Sequence, residues 1–130
     1  MSALPEFEIS AAHALVRLQA TQVFADSGPG ASTVKLYDAA EQLLATLTLT
    51  RPCGTITEAG YLQLTQAQAG ELILASGVAV YGVWGTSDGR MVARGDVTDE
   101  AGAGVFRLLG TSGTQLYAGG LVILGETLIY

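Results

Sequence analysis

Charge is what this chain has least of. Its 130 residues include 6 Lys+Arg and 12 Asp+Glu, 14% charged in all, where a soluble domain ordinarily carries about 25%. The basic residues Arg17, Lys35, Arg51, Arg90, Arg94 and Arg107 are scattered. No cluster is placed to neutralise several phosphates, so direct nucleic-acid binding is not expected. Cys53 is the single cysteine, which excludes an internal disulfide framework and a cysteine metal pair. His13 is the single histidine, so no two-histidine zinc site forms within one chain. A continuous apolar run is also missing. The stretch from Leu72 to Gly85 is interrupted by Ser76 and glycines and falls short of the roughly 20 residues a membrane helix needs. The opening MSALPEFEIS has acids at Glu6 and Glu8 where an export signal needs a basic start, so no signal peptide is expected.

What is abundant is apolar surface and glycine. The chain is 49% hydrophobic with 17 glycines, its mean hydropathy is +0.40, and its net charge is −6. One domain of this length buries about two-thirds of its unfolded-chain surface. With so few charges left to coat the remainder, some apolar surface is expected to meet another protein chain.

Residues 1–9 read as an arm, with Leu4, Phe7 and Ile9 apolar and Pro5 blocking a helix. A single domain is expected over 10–130. Ser10 is placed to cap a helix reaching about Ala25, with Leu15, Leu18 and Gln22 on one stripe and Val16 and Val23 nearby. The run Asp26-Ser27-Gly28-Pro29-Gly30 ends it. Thr33 to Tyr37 alternates as a strand, Val34 and Leu36 opposing Lys35 and Tyr37. Leu43 to Arg51 alternates more cleanly, with Ala45, Leu47 and Leu49 on one side and Thr46, Thr48 and Thr50 on the other. Pro52 and Gly54 are expected to stop it.

Tyr61 to Thr65 predicts a short strand, and Thr65 to Gly70 a helical turn. Leu72 to Val97 reads as a central hairpin, with Val78, Val80 and Trp84 on one side, Ala79, Tyr81 and Val83 on the other, and a turn at Thr86-Ser87-Asp88-Gly89. Thr98 to Gly104 is a loop. Strands follow at Val105 to Leu109, Gln115 to Tyr117, Leu121 to Leu124 and Thr127 to Tyr130. Short strands punctuated by glycine-rich turns, behind one helix, predict an all-β fold. The expected architecture is an antiparallel β-sandwich or jelly roll with one short N-terminal helix.

Few residues offer chemistry. His13 reads as a helix-surface or subunit-contact residue, there being no Gly-x-Ser-x-Gly elbow to build a triad on. Cys53, between Pro52 and Gly54, reads as a buried inert thiol. Asp96, Asp99 and Glu100 form the densest acidic group. Oxygen ligands at that spacing suit calcium, yet the alternating acids and central glycine of a calcium loop are missing, so a solvated loop is expected. Arg94-Gly95-Asp96 spells an adhesion tripeptide but falls within a predicted strand. Tyr61, Tyr81, Tyr117 and Trp84 offer a stacking platform for sugars, or core and interface packing. No cofactor and no metal is expected, and no catalytic residue is identified.

The order of segments carries a resemblance. It comprises a short helix, a Gly/Ala bend, the strand Val34-Lys35-Leu36-Tyr37-Asp38, the strand Leu44 to Leu49, the Gly/Ala/Val strand Val78 to Trp84 with its partner Met91 to Val97, and the closing turn and strand Ala118 to Ile129. This succession resembles small structural proteins of tailed bacteriophages and prophages. The loop Asp38 to Gln42 is shorter here than is usual in that family. The resemblance implies a virion component made in the host cytoplasm, a capsid cement or decoration protein or else a tail, neck or baseplate part. Its partners would be copies of itself, a trimer favoured, and a major virion protein, with no membrane contact. A carbohydrate-binding β-sandwich is the alternative. For association with other protein chains, the residues expected at the interface are Phe7, Ile9, Val78, Val80, Tyr81, Val83, Trp84, Leu121, Ile123, Ile129 and Tyr130.

Overall fold

The computed structural model describes residues 7–130. Ser10 caps α1 (Ala11–Ala25), its hydroxyl accepting the His13 N–H at 3.1 Å, as the sequence predicts. Eleven strands follow: β1 (Thr33–Tyr37), β2 (Leu43–Ile56), β3 (Leu62–Gln66), β4 (Glu71–Leu72), β5 (Gly77–Val78), β6 (Tyr81–Gly85), β7 (Met91–Asp99), β8 (Phe106–Leu108), β9 (Gln115–Leu116), β10 (Leu121–Val122) and β11 (Leu128–Ile129). The fold is all-β with one short helix.

Seven strands form one curled sheet in the order β11-β3-β2-β1-β6-β7-β8. Its pairings are antiparallel except for the β7–β8 pair, which is parallel, so the expected purely antiparallel architecture becomes a mixed sheet. The parallel step follows from the loop after Asp99, which returns the chain alongside β7 in the same direction. The two outer edges are not left free. On one, the Leu109 N–H donates to the Ile123 carbonyl and the Gly125 N–H to the Arg107 carbonyl. On the other, the Leu64 N–H donates to the Thr127 carbonyl and β11 pairs with β3. The stretch 123–129 thus bonds to both edges and closes the curl, which removes the exposed edges that invite uncontrolled pairing.

Alternation sets the inner face. Val34, Leu36, Ala45, Leu47 and Leu49 are fully buried while Lys35 is exposed and Thr46, Thr48 and Thr50 are half-buried. Pro52 and Gly54 do not end β2, which runs on to Ile56. Between the Leu49–Gln66 and Gly54–Leu64 pairs the ladder slips, and Pro52 sits inside that bulge, where no N–H is required. Gly54 permits the close approach to β3: a Cβ there would collide with the Gln63 carbonyl. The helical turn expected over Thr65–Gly70 is absent. β3 continues to Gln66 and the chain then bends.

Two further pairs, β4–β10 and β5–β9, lie outside the large sheet. Leu72 faces Leu121, Gly77 faces Leu116, and the Ala79 N–H donates to the Thr114 carbonyl. One register therefore runs through both pairs, and they are a single interrupted ribbon of 71–79 against 114–122. The ribbon is sewn to the sheet by side chains. Glu71 accepts the Thr48 N–H at 3.1 Å, and the Gln66 amide bonds both the Val122 carbonyl and the Leu124 N–H.

The helix lies on β2. Gln22 donates to the Gly54 carbonyl at 2.7 Å, the Cys53 N–H donates to Asp26, and Arg51 donates to the carbonyls of Asp26 and Gly28. Leu18 and Ala25 are its buried residues. Leu15, expected beside Leu18, is instead exposed.

Candidate interaction surface

The ribbon has two unlike faces. Ile73, Ala79, Leu116 and Val122 point inward and belong to the same buried cluster as the sheet residues. Leu72, Leu74, Val78, Tyr117 and Leu121 point outward, and Tyr117 and Leu121 are each 68% exposed. Leu72 and Leu121 stand directly opposite one another, so their side chains form one continuous apolar patch. The sequence has no Asp, Glu, Lys or Arg between Glu71 and Asp88, nor between Arg107 and Glu126. These are the two segments the ribbon pairs. Glu71, at the start of the first interval, spends its carboxylate on a β2 N–H. The side chains that the ribbon itself presents outward are consequently uncharged, the composition found at the centre of protein interfaces.

The residues expected at an interface separate into distinct places. Val78 and Leu121 lie on the ribbon face; Val80 is exposed just past it, bonded through its backbone to Tyr37 and Val97 of the large sheet, and Ile123 is half-buried just beyond β10. Tyr81 and Val83 are half-buried on the outer side of the sheet, where Tyr81 stacks on Tyr37 with centroids 5.2 Å apart and Arg94 covers its ring at 4.5 Å. Ile9, Ile129 and Tyr130 line a groove of about 280 Å³ with Arg17, Leu18 and Thr21 of the helix. Phe7 is exposed; the first six residues of the expected arm lie outside the described residues.

Trp84 is a correction: it is fully buried, and its indole N–H donates to Ser32. The expectation failed because inward parity switches. Ala79 points inward in the ribbon, whereas Gly82 and Trp84 point inward in the sheet, and the chain changes partners between them, from Thr114 to β1 and β7. Trp84 therefore shares no surface with Val78 and Val80. Trp84 is thereby also withdrawn from the stacking platform, while Tyr61 packs edge-on against Tyr130 and Tyr81 lies stacked on Tyr37. Periodicity does not single out Leu72 and Leu74, and it does not join them to Tyr117. The two charge-free intervals were the available signal.

The remaining chemical candidates are dispersed over the fold. His13 is exposed on the helix. Cys53 is fully buried, and burial, with Asp26 adding to it, pushes its thiol up to about 12. Asp99 accepts the N–H groups of Ala101, Gly102 and Gly113, which clamps the loop after β7 to the turn before β9 and holds its carboxyl below the usual range. Asp96 and Glu100 are exposed. Among the described residues no group of three or more His, Cys, Asp and Glu side chains is gathered for a metal. Arg94-Gly95-Asp96 lies inside β7, paired with β6. Gly95 is there because Val105 and Phe106 occupy the space above it and above its cross-strand partner Gly82. Among the described residues no helix is long and apolar enough to cross a membrane. Comparison of the chain with protein-family models, with curated proteins and with solved structures returns no match.

Proposed function

We propose that this chain is a non-catalytic structural protein of a tailed-bacteriophage particle, a capsid cement or decoration protein that joins copies of itself and docks onto a major virion protein. The observation that carries the assembly part is the set of uncharged side chains that the ribbon presents outward, with Leu72, Leu74, Val78, Tyr117 and Leu121 all at least half exposed. A fully exposed Val or Leu contributes roughly 1.5–3 kcal/mol on removal from water, and side chains exposed to this extent contribute about half to two-thirds of that. The segment order supports the particle part, and a tail, neck or baseplate position is the neighbouring possibility. The curled sheet with its ribbon is read as a jelly-roll-type sandwich, supported by the single buried cluster that Ile73, Leu116 and Val122 share with the sheet.

The test is direct. Particles released by the source cells are purified on a density gradient and searched for this chain by mass spectrometry. The chain should co-migrate with the major virion protein, and Leu72→Lys with Leu121→Lys should leave it in the soluble fraction. Particles that lack the wild-type chain overturn the proposal.

A further inference from the structure

The strand that closes the sheet changes partner part-way along. Up to Gly125 it bonds to the β8 side, where the Gly125 N–H donates to the Arg107 carbonyl. From Thr127 it bonds to β3, through the Leu64 N–H and the Leu128–Gln63 and Ile129–Leu62 pairs. Past that switch a hollow of about 230 Å³ lies between the end of the strand and the chain entering β8. Val105 and Leu128 are apolar walls, and Tyr61, Tyr130, Arg107 and Glu126 line it with them.

The hollow is built in advance of any ligand, which lowers the ordering cost of binding. Asp99 pins the loop before β8 by accepting the N–H groups of Ala101 and Gly102, and the Gly104 N–H donates to the Thr98 hydroxyl. Tyr61 is held by its turn: its N–H donates to the Thr57 hydroxyl and its carbonyl accepts the Thr57 N–H. One register step beyond the Ile129–Leu62 pair, Tyr130 meets the Tyr61 ring edge-on, with centroids 5.9 Å apart. Tyr130 is still 89% exposed, so an aromatic face stays open to a ligand.

Both signs of charge line the hollow. Among the described residues the ion pair is Arg90 with Asp88, so Arg107 and Glu126 are not joined to each other. Arg107 offers only donors and Glu126 only acceptors. A simple anion is drawn to one and repelled by the other, and a simple cation meets the reverse. A sugar ring carries donors and acceptors on its rim and apolar C–H groups on its faces, so it satisfies both charges and the tyrosine together. We therefore propose that this hollow binds a saccharide, one ring against Tyr130 with its hydroxyls shared between Arg107 and Glu126. The volume lies below the roughly 300–1,000 Å³ of sites for drug-sized ligands, which limits the occupant to a small ring. The groove of Arg17 and Leu18 shares Tyr130 and leaves room for the next unit of a longer chain.

The site uses neither Trp84, which is buried, nor Tyr81, whose ring Arg94 covers. It takes none of the outward ribbon side chains and does not depend on the particle reading. The full chain, isotope-labelled, is titrated with free monosaccharides (neutral hexoses, N-acetylhexosamines and uronic acids) to tens of millimolar while its amide resonances are followed. At least one sugar should move the amides of Gly104, Arg107, Glu126 and Leu128 saturably. Tyr130→Ala and Arg107→Gln should each weaken that binding by about tenfold with the remaining spectrum unchanged, and Tyr117→Ala on the ribbon should bind as wild type. A panel in which no sugar moves those amides overturns the site, as does a Tyr130→Ala/Arg107→Gln protein that binds like wild type. Loss of binding in Tyr117→Ala also overturns the hollow and places the sugar on the ribbon. Sodium acetate moving the same amides as strongly as the best sugar reduces the hollow to a carboxylate contact of Arg107 and overturns the saccharide assignment.

Discussion

The Trp84 indole N–H donates to the Ser32 hydroxyl at 3.2 Å, and both residues are fully buried. The contact joins the loop entering β1 to the middle of β6 and fixes the orientation of the largest side chain in the core. Ser32→Ala leaves the indole N–H without a partner, at a cost of about 1–3 kcal/mol. Trp84→Phe should also destabilise, through the cavity left behind. Because both variants break one contact, the double variant should be less destabilised than their sum, and urea unfolding of the four proteins measures that coupling.

Gly54 is held by close approach to a neighbouring backbone. An added methyl would collide with the Gln63 carbonyl, and backbone cannot swing aside. Gly54→Ala is expected to lose about 1–3 kcal/mol and to loosen Gln22, which donates to the Gly54 carbonyl. At Gly30 the nearest atoms to a new Cβ are at 3.5 Å, ordinary contact distance, so Gly30→Ala should stay within about 0.5 kcal/mol of wild type. Paired thermal melts check both.

Cys53 should be invisible to thiol reagents in the folded protein. Its thiol is raised from 9.0 to about 12, by burial first and Asp26 second, and only the thiolate attacks. At pH 8 a chromogenic disulfide reagent should release no colour from native protein. In concentrated guanidinium it should titrate the one cysteine the chain contains.

Asp99 supplies an acid dependence of known sign. Its carboxyl is lowered from 3.8, chiefly by the Gly113 N–H and then by those of Ala101 and Gly102. A group whose folded value lies below its unfolded value contributes stability above the unfolded value and loses it as pH falls through the folded one. The melting temperature should therefore drop below about pH 4, and Asp99→Asn should flatten that drop while lowering stability at neutral pH. Asp88 is shifted in the same direction by Thr86 and Arg90, so some acid dependence should survive in the Asp99 variant.

Local chemistry was legible wherever one face of an element was polar. Ser10 as a cap, the alternation of Val34 to Tyr37 and of Ala45 to Thr50, and the Thr86–Gly89 turn, where Gly89 takes φ +91°, all follow from adjacent residues. Where both faces are apolar, periodicity has no contrast to report. The stripe that sets Leu15 beside Leu18 and the parity that groups Trp84 with Val80 both fail for that reason.

The sequence by itself determined the strand-rich class, the single capped helix, the scarcity of charge and the two intervals from which charge is missing, because each is a property of neighbouring residues. Only the tertiary structure decided that those two intervals pair into one ribbon, that β2 runs through Pro52, that 123–129 closes the sheet, and that Trp84 faces inward. Those outcomes depend on which distant segment each strand bonds to, and a change of partner between Ala79 and Gly82 reverses which side chains meet water.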